Sequence, residues 1–86
     1  LAGDPLDLGG AVKTLAAHPD GRQWAAVVSV EVGGELVLGV AAEQGLTVVR
    51  RFGADGRHPQ ALAFSPDGTL LFVGNADSTI TVYGAE

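Results

Sequence analysis

The 86-residue chain is 47% hydrophobic and 17% charged and holds 13 glycines, a composition that excludes disorder and suits short strands joined by many turns. Ten Asp and Glu against five Lys and Arg leave a formal net charge of −5, which repels nucleic acid phosphate and anionic membranes at long range. The absence of Cys excludes disulfides, thiolate metal sites and a Cys nucleophile, and no apolar run reaches the roughly 18 residues of a bilayer span.

In chain order, residues 1–10 hold Asp4-Pro5, an alternating Leu6-Asp7-Leu8 and Gly9-Gly10, the marks of a short extended segment between two chain breakers. Residues 12–17 alternate Val12, Thr14 and Ala16 with Lys13, Leu15 and Ala17, and His18-Pro19-Asp20-Gly21 closes them. That is a turn with a mechanism: Pro fixes φ at about −65°, Asp bonds the local backbone, and Gly accepts positive φ. A long strand follows over 22–32, with Trp24, Ala26, Val28, Val30 and Val32 on one face and Ala25, Val27 and Ser29 on the other. Gly33-Gly34 permits a tight hairpin, 35–43 returns, and Gln44-Gly45 turns again. Residues 46–52 make a fourth strand, Leu46, Val48 and Phe52 opposite Thr47, Val49 and Arg51. Residues 11–53 thus read as one four-stranded antiparallel unit.

The polar, glycine-rich stretch 53–57 leads into a second unit, 54–86. Ser65-Pro66-Asp67-Gly68 repeats the first turn, and Pro19 and Pro66 stand 47 residues apart, an interval that marks propellers and solenoids. Leu62 and Phe64 precede this turn on one face, while Leu70, Leu71, Phe72 and Val73 follow it, apolar on both faces. Residues 75–78 turn, and Ile80 and Val82 then alternate with Thr79, Thr81 and Tyr83, a β-branched strand composition. The second unit has three strands to the first unit's four, and its middle hairpin is about four residues shorter.

A Pro, an apolar strand, Ser-Pro-Asp-Gly, an apolar and aromatic strand ending in Asn75, a polar turn and a Thr, Val and Tyr strand together resemble one blade of a β-propeller. The pattern is most similar to YVTN and lactonase-like propellers, with Phe72-Val73-Gly74-Asn75 in the place of the Tyr-Val-Thr-Asn run. It is less similar to WD repeats, since Tyr83-Gly84 stands where Trp-Asp would be expected. The resemblance implies an all-β fold of about two antiparallel β-propeller blades, part of a larger or oligomeric propeller. A ring takes roughly 4 to 8 blades, so the remaining blades must come from missing chain or from other copies. The expectation is a head-to-tail homo-oligomer of three or four chains, in which segment 1–10 supplies the outer strand that the second unit lacks. The competing architecture is a self-contained small barrel or sandwich. A chain that opens on Leu1 also reads as a processed protein or a piece of a longer propeller.

Candidate chemistry is sparse. His18 and His58 each precede a Pro at a strand end, and neither has a carboxylate or second His at ligand spacing, so no metal site is expected. Arg50, Arg51 and Arg57 cluster near the connection, but adjacent strand residues point to opposite faces, so Arg50 and Arg51 cannot form one anion site. No Gly-rich phosphate loop precedes a helix, no motif surrounds Ser29, Ser65 or Ser78, and nothing implies a cofactor. Lactonase-type propellers place Arg and His directly after a Pro such as Pro59; Gln60 and Ala61 occupy those positions here. The match is to the scaffold and not to that chemistry.

Two function classes follow. The first is a protein-interaction or scaffold module without catalysis, with Trp24, Arg50 and His58 as interaction residues and a protein or peptide, but no nucleic acid or membrane, as partner. The second is a lactonase-like enzyme or small-ligand binder with a site assembled from several blades. That class needs convergent polar groups on the innermost strands, where only Lys13 and Thr14 are found. The expected state is soluble, either cytoplasmic or secreted after signal removal.

Overall fold

The computed structural model describes residues 5–29, 34–42, 45–53 and 58–84. Seven strands are present: β1 (Val12–Ala17), β2 (Gln23–Ser29), β3 (Gly34–Ala42), β4 (Gly45–Gly53), β5 (Pro59–Phe64), β6 (Leu70–Asn75) and β7 (Ile80–Gly84). They form two antiparallel meanders, a first sheet ordered β1-β2-β3-β4 and a second ordered β5-β6-β7, and neither closes on itself. Among the described residues there is no helix, and therefore none long and apolar enough to cross a membrane. Val30, Val32, the hairpin at Gly33, the turn at Gln44 and the connection 54–57 lie outside the described residues.

Two β-bulges overturn the strict alternation expected of the first and fourth strands. In β1, Val12 pairs with Val28 and Thr14 with Val27, so Lys13 is the extra residue and Val12 joins the face of Leu15 and Ala17. In β4, Val48 pairs with Gly39 and Arg50 with Leu38, which makes Val49 the extra residue. Leu46 and Val48 consequently share a face with Arg51, and Phe52 shares the other with Arg50. A bulge shifts the side-chain phase by one residue, and a run such as Thr47-Val48-Val49 fits either phase.

The unbroken apolar run of β2 is explained by cover on both faces. Ala25, Ala26, Val27 and Val28 are completely buried. One face carries Trp24, Ala26, Val28 and Val37, closed by Leu8, with Ala41 and Val48 beside them. The other carries Ala25, Val27 and Leu36, packed against Leu71 and Val73 of the second sheet, with Leu38, Phe52, Leu62, Phe64 and Tyr83 around them. The two sheets are thus stacked face to face in the same strand order. β5 lies over β1 and β2, and Phe52 of β4 meets Tyr83 of β7 edge to face at 5.3 Å.

The repeat is visible in the hydrogen bonds. A shift of 47 residues carries β1 onto β5, and it carries the bonds His18 N–H to Gln23 O (3.0 Å) and Gly21 N–H to His18 O (3.0 Å) onto Ser65 N–H to Leu70 O (2.9 Å) and Gly68 N–H to Ser65 O (2.9 Å). The register then carries Ala25 opposite Leu38 onto Phe72 opposite Val82, and Trp24 opposite Gly39 onto Leu71 opposite Tyr83. A large residue faces a small one in the first unit, and an aromatic residue faces an aliphatic one in the second. Leu38 and Val82 are 44 residues apart, so the first hairpin is longer by three residues, one fewer than the sequence suggests.

Candidate interaction surface

Beside the apolar core between the sheets, one turn side chain, His18, links the two units. His18, at the end of β1, sits where the second unit has Ser65, and its Nε2 lies 2.9 Å from the carbonyl oxygen of Gly68. Its Nδ1 accepts the Asp20 N–H at 3.0 Å, which leaves Nε2–H as the donor to Gly68 when the ring is neutral. The ring also stands edge to face on Phe64 at 5.0 Å. Gly68 has φ of 78°, and a Cβ there would overlap the imidazole. The residue must therefore be Gly for both its backbone and its neighbour.

Both turn carboxylates bond within their own turns. Asp20 Oδ1 accepts the N–H groups of Gln23 (3.0 Å) and Arg22 (2.8 Å), and Oδ2 accepts the Gln23 side-chain amide at 2.9 Å. These bonds, led by the Gln23 backbone N–H, hold its carboxyl far below the ordinary carboxylate range. Asp67 Oδ1 accepts the Ser65 hydroxyl at 2.6 Å, the Thr69 N–H at 3.0 Å and the Thr69 hydroxyl at 2.8 Å. The Ser65 bond first, and the Thr69 bonds next, lower its pKa to about 2. Charged acceptors of several donors favour ionisation in this way. Both carboxylates are structural.

The N-terminal segment lies on the outer face of the first sheet. Leu8 is buried in the Trp24 cluster, and Arg51 Nη2 donates to the Leu8 carbonyl at 2.8 Å while its Nε donates to Glu35 at 2.6 Å. Asp7 accepts the Gly9 N–H at 2.8 Å, turning the chain at a φ of 84°. Beside this segment runs an apolar groove of about 340 Å³, lined by Leu6, Val12, Leu15, Trp24, Ala26 and Leu46 among others. Leu15 is 66% exposed and Val12 and Leu46 are each 51% exposed. The outer face of the second sheet is also apolar and open: Ile80 is 71% exposed, Val82 52%, Phe72 37% and Leu70 37%.

A second groove, of about 450 Å³, opens between the sheets beside β7. Leu38, Val40 and Phe52 of the first sheet and Leu71, Tyr83 and Gly84 of the second line it. Arg50 stands at it with its guanidinium 5.4 Å from the centroid of the Phe52 ring, inside the range of a cation–π contact. Trp24 and Val49 contribute as well.

The three expected interaction residues fall in different places. Trp24 is a core residue, 8% exposed, with its indole laid across Gly39 and its buried N–H without an acceptor among the described residues. Arg50 is exposed on the inner face of β4 and lines the second groove. His58 is exposed at the entry to β5, with φ of 53°, and its carbonyl accepts the Ala76 N–H at 3.0 Å. The structure brings none of these three into one cluster, although Trp24 and Arg50 line the same groove. Arg50 and Arg51 do point to opposite faces, as the strand argument requires. Among the described residues no group of three His, Asp or Glu side chains gathers as metal ligands would. Sequence reasoning missed the His18 to Gly68 link, for which the only signal was a His in the first turn where the second has Ser. It also missed the grooves, which depend on how the sheets stack. Comparison of the chain with family models, with characterised proteins and with solved structures finds no match.

Proposed function

We propose that this chain is a β-propeller-type interaction or scaffold module: two stacked repeat units whose open faces bind further units of the same kind, without chemistry of its own. One observation carries the proposal. The inner face of the second sheet (Leu62, Phe64, Leu71, Val73) and the outer face of the first (Leu15, Ala17, Trp24, Ala26) are the same positions of the repeat. So are the inner face of the first (Ala25, Leu36, Leu38) and the outer face of the second (Phe72, Ile80, Val82). The outer face of the second sheet is open, and that of the first is open at Val12, Leu15 and Leu46 while Leu8 covers Trp24 and Ala26; a second copy stacking head to tail, with the Leu8 segment displaced, would repeat the internal interface.

Such heterologous contacts close into rings when the rotation permits, and three or four chains would supply six or eight blades, within the range known for propellers. The resemblance of residues 58–83 to a YVTN-type blade supports the same arrangement. The test is sedimentation of the wild-type chain beside Phe72→Glu and Leu15→Glu, one charge on each open face. Each single variant should sediment as the monomer while the wild type assembles, because every contact in a ring of identical chains carries the substitution. A wild type and variants with the same monomeric mass would refute the proposal.

A further inference from the structure

We infer that the groove beside β7 is a peptide-binding site, in which an extended segment of a partner protein adds to β7 as an antiparallel strand. The inference rests on the reading of the second unit as a repeat of the first, and it concerns a surface distinct from the open stacking faces. Three observations point to a polypeptide strand.

The first is the backbone of β7. Asn75 N–H donates to Thr79 O at 2.9 Å, which sets the bonded phase of the ladder at this position. Bonded and non-bonded pairs alternate along an antiparallel ladder. With Val73 opposite Thr81 and Leu71 opposite Tyr83, Thr81 and Tyr83 bond to β6. The N–H and C=O groups of Ile80, Val82 and Gly84 are directed to the other side, where no strand pairs with β7 among the described residues. A row of alternating donors and acceptors is matched by another peptide backbone.

The second is the template within the chain. In the first unit the equivalent edge, β3, is occupied by β4, which pairs Phe52 opposite Leu36 and Arg50 opposite Leu38. Leu36 and Leu38 are the counterparts of Ile80 and Val82. A strand on β7 would occupy the place relative to the second sheet that β4 holds in the first.

The third is the groove itself. Its wall is continuous with the established interface between the sheets, since Phe52, Leu71 and Tyr83 also belong to that core. Alternate side chains of an added strand would point between Tyr83 and the Leu38, Val40 and Phe52 surface, while the intervening ones face outward. The peptide is thus one with apolar residues at every second position. Arg50, which has no carboxylate partner among the described residues, adds a preference for an Asp or Glu at one end of the segment.

The test uses the 86-residue chain, isotopically labelled, and a capped heptapeptide of alternating Val and Thr with a terminal Glu. Saturable binding should slow hydrogen exchange of the Val82 and Gly84 amides at least tenfold and leave the Thr81 and Tyr83 amides unchanged. The change of Glu to Lys in the peptide should weaken binding severalfold. Val82→Pro removes a free-edge donor and should abolish the protection. Val49→Asp, at an exposed position on the groove, should weaken it and guards against a Pro variant that fails to fold. Absence of amide protection at saturating peptide would overturn the inference. So would protection of Val82 and Gly84 without peptide that dilution removes, since that would place a second copy on this edge. Failure of self-assembly with peptide binding intact would refute the stacking proposal alone, and the reverse would refute this one alone.

Discussion

Leu71 and Phe72 are adjacent in β6 and face opposite ways, which makes them a direct test of the sheet stacking. Leu71 is 1% exposed, in the cluster that joins the two sheets, whereas Phe72 is 37% exposed on the outer face. Truncating a buried Leu to Ala removes its transfer free energy and leaves a cavity, a loss of about 2–5 kcal/mol. A chain of this length has a total stability of about 4–13 kcal/mol, so Leu71→Ala should consume a large share of it. Phe72→Ala, made in the non-assembling Leu15→Glu background, should cost about 1 kcal/mol or less, because no cavity closes over it. Urea unfolding followed by the fluorescence of Trp24, the only Trp, gives both values. The midpoint should fall steeply for Leu71→Ala, with an unchanged slope if both sheets unfold together. Equal losses at the two positions, or a larger loss at Phe72, would refute the face-to-face packing of the second sheet on the first.

Three further outcomes follow from the turns and the N-terminal segment. Gly21 and Gly68 share a positive φ, 74° and 78°, but only Gly68 has the His18 ring against it; Gly21→Ala should cost about 1–2 kcal/mol of backbone strain and Gly68→Ala clearly more, and equal losses in urea titration would show that the His18 contact contributes nothing. Asp67, its pKa lowered to about 2, contributes stability that is fully present above the unfolded carboxyl pKa of about 4 and is lost as pH falls from there through about 2. Acid unfolding of Asp67→Asn should therefore lose part of the wild-type dependence in that window, and an unchanged acid profile would contradict the assignment. Arg51→Met removes the donor to the Leu8 carbonyl and should speed hydrogen exchange at Gly9 and Gly10, measured by NMR, while leaving the β6 amides protected.

The strand order and the two turns were legible in the sequence because their signals are local. Pro, Asp and Gly at fixed offsets specify a turn, and alternation specifies a face, so residues 61–64 and 70–84 fall where the pattern puts them, while the start of β5 carries a register shift at Gln60. The face assignments of β1 and β4 were not legible. Each bulge inserts one residue, Lys13 or Val49, into strands whose neighbours suit either face, and the register that exposes the insertion belongs to the partner strand. Trp24, expected as an interaction residue, is instead core, and the reason it fits, Gly39 directly opposite, depends on cross-strand pairing that the sequence does not show. The surfaces proposed to bind were the least legible, because a groove between sheets is a property of their stacking. A run such as Leu70-Leu71-Phe72-Val73 states that both faces are apolar, and only the fold shows that one of them is covered by the first unit and the other is open.

The most direct test of the stacked-repeat account is the mass of the wild-type chain by light scattering over a wide range of concentrations. The account predicts a discrete species of three or four times the 8.7 kDa of one chain, holding that mass as concentration rises. A particle that stays monomeric at the highest concentrations, with Ile80 and Val82 still open to solvent, would contradict it.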